Sequence, residues 1–421
     1  MNITRRVFIK SGGVAMLGLS SVPSFLLRAM ASVSAAGGPE KKILIVLFQR
    51  GAMDGLNAVI PFAESSYYRL RPTIAVPRPA RGNNETAVDL DGKFALHPSL
   101  APLAPLFREK QLAIVHAAGS PDNTRSHFDA QDYMEAGTPG IKSTESGWLN
   151  RCLEAQPDEK TTPFRAVAMG QNLPRTLQGP APALAHADVH QFQVMAPMAQ
   201  SGALEGGFEA IYAQTVDKVL RGTGQETFEA IDMLRKADPS RYQPENGAQY
   251  PRGPFGQKLL QIAQMIKANV GLEVAFLDSG GWDHHVNEGG VQGQLSNLLR
   301  DLGQGLAAFH RDMGDGMAEI CLVTMSEFGR TAAENGNRGT DHGHANCMFI
   351  LGGGVNGGKV YGRWPGLERE QLYEGRDLAV TTDFRTVLGE AVARHLDSSN
   401  LDAVFPGFTN DPKKFLGYMR V

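Results

Sequence analysis

Short apolar runs, each followed by a polar loop or by helical sequence, constrain the fold of this chain more than any other feature. Residues 42–48, 112–118 and 319–325 have the length and apolar character of strands that are buried on both faces. Further strands are predicted at 164–169, 273–277 and 347–351, and helices at 128–135, 256–267, 292–312 and 383–395. Strands that alternate with helices predict an α/β fold, in which a mostly parallel β-sheet is sandwiched between helices.

The organisation of the chain predicts one large domain at 40–421. We find no internal repeat, and the glycine- and proline-containing stretch at 77–92 is typical of an excursion from the sheet rather than of a linker. Residues 208–269 are predicted to be mainly helical.

The first residues have the pattern of a twin-arginine signal peptide, predicted at 1–35. Arg5 and Arg6 precede Val7, Phe8 and a lysine, and a glycine-interrupted apolar stretch with small-residue cleavage sites follows. The stretch is too interrupted for a convincing membrane span, which needs about 20 mainly apolar residues. The pattern predicts export to the periplasm or beyond by the twin-arginine translocation machinery, which moves folded proteins that often carry a cofactor already.

Charge and cysteine content exclude several classes of protein. The formal net charge of -3 falls to about -7 when the four basic residues of the signal peptide are removed, which argues against a nucleic-acid partner. No second apolar stretch is long enough to span a bilayer. Cys152, Cys321 and Cys347 are far apart, so neither a zinc knuckle nor a disulfide framework is supported. The last two are most simply buried thiols, although one pair could be bridged after export.

Polar residues follow several predicted strands, and the carboxyl ends of parallel strands are where an α/β sheet gathers its chemistry. Asp54 lies in a turn after the first strand, as either a turn-forming residue or a metal ligand. Ser126 stands at a predicted helix start, as either an N-cap or a nucleophile in the positive field of the helix end. Arg125 beside it could bind a phosphate-like group.

The loop at 277–285 is the sharpest local signal, because two aspartates and two histidines accompany a glycine pair. Asp283 with His285, or Asp278 with His284, could hold one divalent ion through oxygen and imidazole nitrogen. The residues alone leave this choice open.

Two later segments add further candidates. Glu327 follows a predicted strand as a candidate ligand or base, and Arg330 is a candidate anion clamp. Asp341, His342 and His344 place three potential metal ligands within four residues. Six of the eleven histidines lie in or beside the polar segments, namely His116, His127, His284, His285, His342 and His344. This clustering favours a metal site over scattered structural histidines.

The motifs together resemble an exported bacterial family known as domain of unknown function 1501. They are the twin-arginine start, Arg-Gly-Ala-Met-Asp-Gly, Arg-Ser-His-Phe-Asp-Ala-Gln, Gly-Gly-Trp-Asp-His-His, Ser-Glu-Phe-Gly-Arg-Thr and Thr-Asp-His-Gly-His-Ala. That family is similar to the alkaline phosphatase-like superfamily, with its sulfatases, phosphodiesterases and cofactor-independent phosphoglycerate mutase. The resemblance implies a parallel-rich sheet between helices and one or two divalent ions beside a Ser, Thr or modified Cys nucleophile.

The resemblance also implies roles for individual positions. These are an acidic ligand at Asp54, the nucleophile at Ser126, later ligands at Asp283 and His285, and a last histidine at His342 or His344. Two departures stand out. The superfamily usually carries Asp-His where this chain has Glu327 and Phe328, and a phenyl ring cannot bind a metal. His127 could occupy the nucleophile position itself.

The function that the resemblance implies is an exported metal-dependent hydrolase of phosphate or sulfate esters. Its cofactor would be one or two zinc, manganese or calcium ions, and its substrate a small anionic ester. The alternative is a non-catalytic exported binding protein on the same scaffold with a degenerate metal site, which the departure at Phe328 favours. A metal-activated hydrolase of other bonds is a third hypothesis, so whether the chain is an enzyme stays open here.

Overall fold

A computed structural model describes residues 41–156, 162–186 and 242–420 of the chain. The signal peptide predicted at 1–35 lies outside these residues, as does part of the helical stretch predicted at 208–269. Within the described ranges, no helix is long and apolar enough to cross a membrane.

The strands of the described ranges form a sheet of nine strands and a smaller sheet of three. In chain order they are β1 (Ile43–Gln49), β2 (Val59–Ile60), β3 (Val88–Asp89), β4 (Ala95–Leu96), β5 (Leu112–Gly119), β6 (Ala166–Met169), β7 (Leu184–His186), β8 (Val274–Ser279), β9 (Ile320–Met325), β10 (Asn346–Gly352), β11 (Val360–Tyr361) and β12 (Thr382–Asp383). The order in the large sheet is β11-β5-β10-β9-β1-β8-β6-β7, with β12 also paired to β5.

The large sheet is parallel except for β10, which confirms the predicted mostly parallel sheet. Strand β10 runs antiparallel to both of its neighbours, β5 and β9. Asn346 at its amino end pairs with Ala118 at the carboxyl end of β5. The loop before β10 is therefore brought to the edge where β1, β5, β8 and β9 end.

Helices cover both faces of this sheet. In chain order they are α1 (Gly55–Ala58), α2 (Ser65–Leu70), α3 (Ala104–Arg108), α4 (His127–Ala136), α5 (Trp148–Ala155), α6 (Pro254–Lys267), α7 (Gln294–Met313), α8 (Phe384–Arg394) and α9 (Leu401–Val404). Short 3-10 helices lie at Pro98–Leu103, Arg175–Leu177, Gly314–Glu319, Arg369–Gln371 and Pro412–Lys414. The predicted boundaries of the strands and helices discussed above lie within two residues of these bounds wherever the structure describes them.

Alternating residues of β1 fill two separate apolar cores, one on each face of the sheet. Ile45 and Leu47 pack in the core that contains apolar side chains of α6 and α7. Val46 and Phe48 pack in the core that contains those of α5 and α8. Burial on both faces explains why the strands read as continuous apolar runs. The three cysteines are free and buried, as predicted for Cys321 and Cys347.

His116 is a structural histidine and not part of a polar site. It lies in β5 with its side chain buried, and its Nε2–H donates to the carbonyl oxygen of Val59 at 2.9 Å. Its Nδ1 accepts from the backbone N–H of Ala117 at 3.0 Å. Burial lowers the pKa of His116 to about 4 from the ordinary 6.5.

We expect the protein to lose stability as the pH falls from about 6.5 towards 4, because the unfolded chain binds a proton that folded His116 does not. The loss attributable to this residue is on the order of 3 kcal/mol. His116→Gln keeps an N–H donor for Val59 and should make this pH dependence shallower, because His97, His284 and His395 also have a pKa lowered to about 4 by burial. Urea unfolding of both proteins at several pH values from 7 to about 4 measures the effect. Parallel profiles for the two proteins would contradict the prediction.

Candidate metal centre

Three histidines and one aspartate converge at the carboxyl edge of the sheet. Ligand atoms of His127, Asp283 and His342 all lie within 4.8 Å of one another. The Nε2 of His342 is 3.0 Å from the Nε2 of His127 and 3.0 Å from the Nε2 of His285. Oδ1 of Asp283 lies 3.0 Å from the Nε2 of His285 and 3.2 Å from that of His342. We call these four side chains the histidine–aspartate cluster.

The sheet topology explains why residues so distant in sequence meet. His127 is the first residue of α4, which follows β5, while Asp283 and His285 lie in the loop after β8. His342 precedes β10, whose reversed direction brings it to the same edge. Gly51, after β1, has a φ of +115°, and a Cβ there would come within 2.7 Å of the backbone nitrogen of Asp283. Glycine at this position therefore lets the loop after β8 approach the end of β1.

Each of the three imidazoles is oriented by an oxygen atom that contacts its Nδ1. The pairs are His127 with Glu327 Oε1 at 2.7 Å, His285 with Asp341 Oδ1 at 3.1 Å, and His342 with the backbone carbonyl oxygen of Arg125 at 2.8 Å. A carbonyl oxygen only accepts, so Nδ1 of His342 carries the proton and Nε2 presents a lone pair when the ring is neutral. Metal-binding histidines show this arrangement, with one nitrogen donating to an oxygen and the other facing the ion.

The cluster fits a cation better than it fits a closed hydrogen-bond network. With protons on the Nδ1 atoms, the Nε2 atoms and the Asp283 carboxylate face one another as acceptors. The Nε2 to Nε2 distances of 3.0 Å are close to the roughly 3.3 Å that separates two nitrogens of a tetrahedral zinc site with bonds of about 2.0–2.1 Å. The converging lone pairs therefore suit one metal ion.

The charges around the cluster also suit a divalent ion. The carboxylates of Asp283, Glu327 and Asp341 contact the three imidazoles, and one guanidinium, that of Arg330, contacts Asp283. Imidazoles that bind a metal are neutral, and these groups would then carry a surplus of two negative charges, which a divalent cation would balance.

Protons compete with a cation for this space. The hydrogen bond to Glu327 raises the pKa of His127, whereas burial lowers the pKa of His342. A proton on Nε2 of His127 can bridge the 3.0 Å to His342 when no cation is bound. A metal ion bound at this cluster would therefore release protons, and its affinity would weaken as the pH falls.

Arg330 orients Asp283 and does not project towards a ligand as an anion clamp. Its side chain is buried, and its Nη1 donates to Oδ1 of Asp283 at 2.7 Å. Its Nε and Nη2 donate to the hydroxyl and the carbonyl oxygen of Thr340 at 3.0 and 2.6 Å. Burial raises the pKa of Asp283, but the hydrogen bond and charge of Arg330 outweigh it and leave that pKa lowered.

Arg125 and Ser126 lie beside the cluster and contact other groups. The guanidinium of Arg125 donates to Asp377 and Glu374, each at 2.7 Å, so two acids already balance its charge. The hydroxyl of Ser126 accepts from the backbone N–H of Asp129 at 3.5 Å, which makes it the N-cap of α4. The predicted nucleophile Ser126 thus directly precedes His127 in the chain, and its hydroxyl caps the amino end of α4.

Glu327 holds the side chain of His127 in place. Its buried carboxylate accepts from the backbone N–H of Gly51 at 2.7 Å and from Nε2 of Gln131 at 3.2 Å, besides contacting His127. The ring of Phe328 lies 5.0 Å from the rings of both His127 and His342, so it forms an apolar wall where the resemblance implied a ligand.

Glu327 and Asp341 contact the cluster from outside it, whereas two further residues predicted as ligands have partners away from it. Asp54 is buried in an ion pair with Arg71 and caps α1 through the N–H of Leu56 at 3.2 Å. His344 is buried, and its Nε2 contacts the carbonyl oxygen of Ser120 at 3.1 Å.

The structure also separates the two alternatives for the loop after β8. It brings Asp283 and His285 to the cluster, whereas Asp278 pairs with Arg50 and Lys258. His284 is buried, and burial lowers its pKa to about 4.

Sequence reasoning treated His127 as a catalytic group, and its place among the metal-binding candidates was missed. The available signal was its position at the start of a helix that follows a buried strand, on the edge that carries the other histidines. Asp341 does not belong to the cluster but contacts it, as the partner of His285.

The sequence family described as "Protein of unknown function (DUF1501)" matches residues 41–404. No curated protein matches the chain.

Three solved structures have a similar fold. The C-terminal periplasmic domain of EcEptC from Escherichia coli, in complex with Zn, is 10% identical, with a TM-score of 0.35 over 75% of this chain and 73% of that one. The lipoteichoic acid synthase LtaP from Listeria monocytogenes is 9% identical, with a TM-score of 0.32 over 75% and 66%. The PsFucS1 sulfatase from Pseudoalteromonas sp. is 11% identical, with a TM-score of 0.40 over 95% and 78%. All three TM-scores are below 0.5.

Proposed function

This chain belongs to the family described as "Protein of unknown function (DUF1501)", and we propose that it is an exported metal-dependent hydrolase of phosphate or sulfate esters. One observation carries the proposal. Ligand atoms of two imidazoles and one carboxylate converge, a third imidazole contacts two of these groups, and each imidazole is held at its far nitrogen by an oxygen. An arrangement that orients lone pairs into one space is built for a cation.

The donor set favours a single zinc or manganese ion over calcium. Calcium takes six to eight oxygen ligands, whereas imidazole suits zinc and other transition metals. Ligand atoms of His127, His342 and Asp283 converge, and Nε2 of His285 lies 3.0 Å from the last two of these residues. We therefore propose one ion, held by His127, His342 and Asp283, with His285 as a fourth ligand. The same four side chains are partly or largely open to solvent, which leaves room for a substrate.

When bound, a divalent ion supplies a Lewis acid that polarises an ester oxygen and lowers the pKa of a water molecule. The chain's own residues prepare the site for it. Glu327 and Asp341 hold two imidazoles in place, and Arg330 holds Asp283 ionised. In the hydrolysis, an oxygen of water bonds to phosphorus or sulfur and the bond to the alcohol oxygen breaks. One proton of the water ends on the leaving alcohol.

The choice of an anionic ester rests on the position of α4 and on the family resemblance. His127 is the first residue of this helix, so the unpaired N–H groups of its first turn lie beside the cluster. A helix amino end favours phosphate-like anions. Arg125 is paired with two acids, and Arg330 is buried and paired with Asp283, which leaves this role to the helix and the ion.

The twin-arginine pattern supports export through the corresponding machinery. That route carries folded proteins, so the cluster could acquire its ion before translocation. A fusion of residues 1–35 to a reporter that requires this pathway tests the proposal, with Arg5 and Arg6 replaced by lysine as the control.

We expect His342→Ala to weaken zinc binding at least about 100-fold, since it removes the nitrogen that contacts both other imidazoles. The matched control is His310→Ala, because His310 contacts Gln111 at the opposite edge of the sheet. Metal bound to protein purified from periplasm is measured by mass spectrometry, and zinc affinity by titration.

The zinc-loaded protein is then assayed for hydrolysis of panels of phosphate and sulfate esters. About one ion per chain in the unsubstituted protein and in the control, but not in His342→Ala, supports the metal site. Equal metal content in all three proteins would exclude it. Full metal content without hydrolysis of any ester would favour the non-catalytic binding protein.

A further inference from the structure

The large apolar side chains that the described part of the chain leaves exposed are Phe128, Ile141 and Val286, at 89%, 49% and 51% exposure. Phe128 follows His127 in the chain, and Val286 follows His285. These two histidines each contact Nε2 of His342 at 3.0 Å. Two of the three exposed apolar residues are therefore adjacent in sequence to residues of the histidine–aspartate cluster.

Ile141 belongs to the same region. Lys142, the next residue, forms an ion pair with Asp129, which follows Phe128 in α4. That contact holds the segment of Ile141 against the first turn of α4. We call Phe128, Ile141 and Val286 the apolar rim.

Folding does not account for Phe128, because a phenyl ring that is 89% exposed buries almost no surface in the folded chain. Single exposed apolar residues are ordinary, but exposed apolar side chains on the segments that carry the residues of a polar site mark a binding surface. The cluster binds the charged or polar part of a ligand, so the rim would contact the part next to it.

We infer that the substrate carries an apolar group, aromatic or aliphatic, beside the group that binds at the metal. This inference rests on the proposed function and names its substrate class. An ester whose alcohol is a phenol or a long alkyl chain would cover Phe128 and Val286 while its acidic end lies at the histidine–aspartate cluster. An ester of a sugar or another polar alcohol would leave both side chains in water.

Two phosphonates that do not turn over test this inference, so binding is measured independently of hydrolysis. Phenylphosphonate and methylphosphonate share the anionic head and differ in the apolar group. We expect the zinc-loaded protein to bind phenylphosphonate about tenfold more tightly in calorimetric titrations. In the double variant Phe128→Ser/Val286→Ser the ratio of the two dissociation constants should fall close to one. Zinc content is measured in parallel.

The outcomes separate this inference from the proposed function. A higher affinity for phenylphosphonate that disappears in the double variant supports the apolar rim. Equal affinities in the unsubstituted protein, or a ratio that the double variant retains, overturn the inference and leave the metal site standing. Absence of binding of either phosphonate to the zinc-loaded protein overturns both the anionic-ester proposal and the inference.

Discussion

Replacing Asp283 with asparagine is expected to remove bound metal and any ester hydrolysis together. Oδ1 of Asp283 lies within 3.2 Å of the Nε2 atoms of His285 and His342, and Asp283 supplies the carboxylate of the cluster. An amide oxygen is neutral and a weaker ligand, so we expect zinc affinity to fall at least about 100-fold. Metal content by mass spectrometry and initial rates on the best ester of the panel measure the two losses.

The matched control is Asp278→Asn, near the end of β8 and similarly exposed, which tests the alternative ligand. Asp278 pairs with Arg50 at 2.9 Å and with Lys258 at 2.5 Å, so its loss should leave the metal in place. Metal that is retained in Asp283→Asn, or lost in Asp278→Asn, would contradict the assignment.

Asp283→Asn also leaves buried Arg330 without its counter-charge, so the folded state must be checked separately. Circular dichroism and urea unfolding without added metal distinguish a folded protein that lacks metal from an unfolded one. Asp341→Asn gives an intermediate case, because it removes only the partner of His285. There we expect about a 10- to 100-fold loss of zinc affinity.

The sheet was predictable from sequence because its strands are buried on both faces. Ile45 and Val46 face different cores, so neither could be polar, and the strand appears as an unbroken apolar run. The direction of β10 was not predictable in this way, since an apolar run reads alike in either direction. That direction is what brings His342 to the carboxyl edge.

The candidate site was predictable as a set of segments and less so as a set of residues. The loop after β8 and the segment before β10 stood out because histidine and aspartate concentrate there. Which members meet depends on long-range contacts such as that between His127 and His342, which are 3.0 Å apart and 215 residues apart in sequence. The local sequence pattern contains no information on such contacts, so it did not distinguish His342 from His344 as a metal ligand.

Asp54 shows the same limit of sequence patterns, in a residue that was predicted as a ligand and lies outside the cluster. An aspartate after the first strand matches a ligand in the superfamily that the chain resembles, and its sequence context fits that role. Its partner Arg71 lies 17 residues away in a segment without a distinctive pattern. The ion pair is therefore invisible in the sequence, although it decides what Asp54 contacts.

Replacing Asp54 with asparagine is expected to lower the free energy of unfolding by about 3–5 kcal/mol without removing the metal. Arg71 is fully buried, and its Nη2 donates to Oδ1 of Asp54 at 3.0 Å. Burial raises the pKa of Asp54, but Arg71 outweighs it and lowers that pKa, so the carboxylate is ionised. Asparagine leaves the guanidinium in the interior with the carbonyl oxygens of Thr331 and Ala332 and near Glu288, a buried carboxyl whose pKa is raised by burial and by the charge of Asp54.

Urea unfolding measures the loss, and Glu368→Gln provides the matched control, because Glu368 pairs with Arg69 at the surface. Breaking that exposed pair should lower the free energy of unfolding far less than breaking the buried pair does. Asp54→Asn/Arg71→Met removes both charges and should recover part of the stability that Asp54→Asn loses. If Asp54→Asn instead unfolds like the unsubstituted protein and binds no metal, Asp54 is a ligand and the histidine–aspartate cluster is incomplete without it.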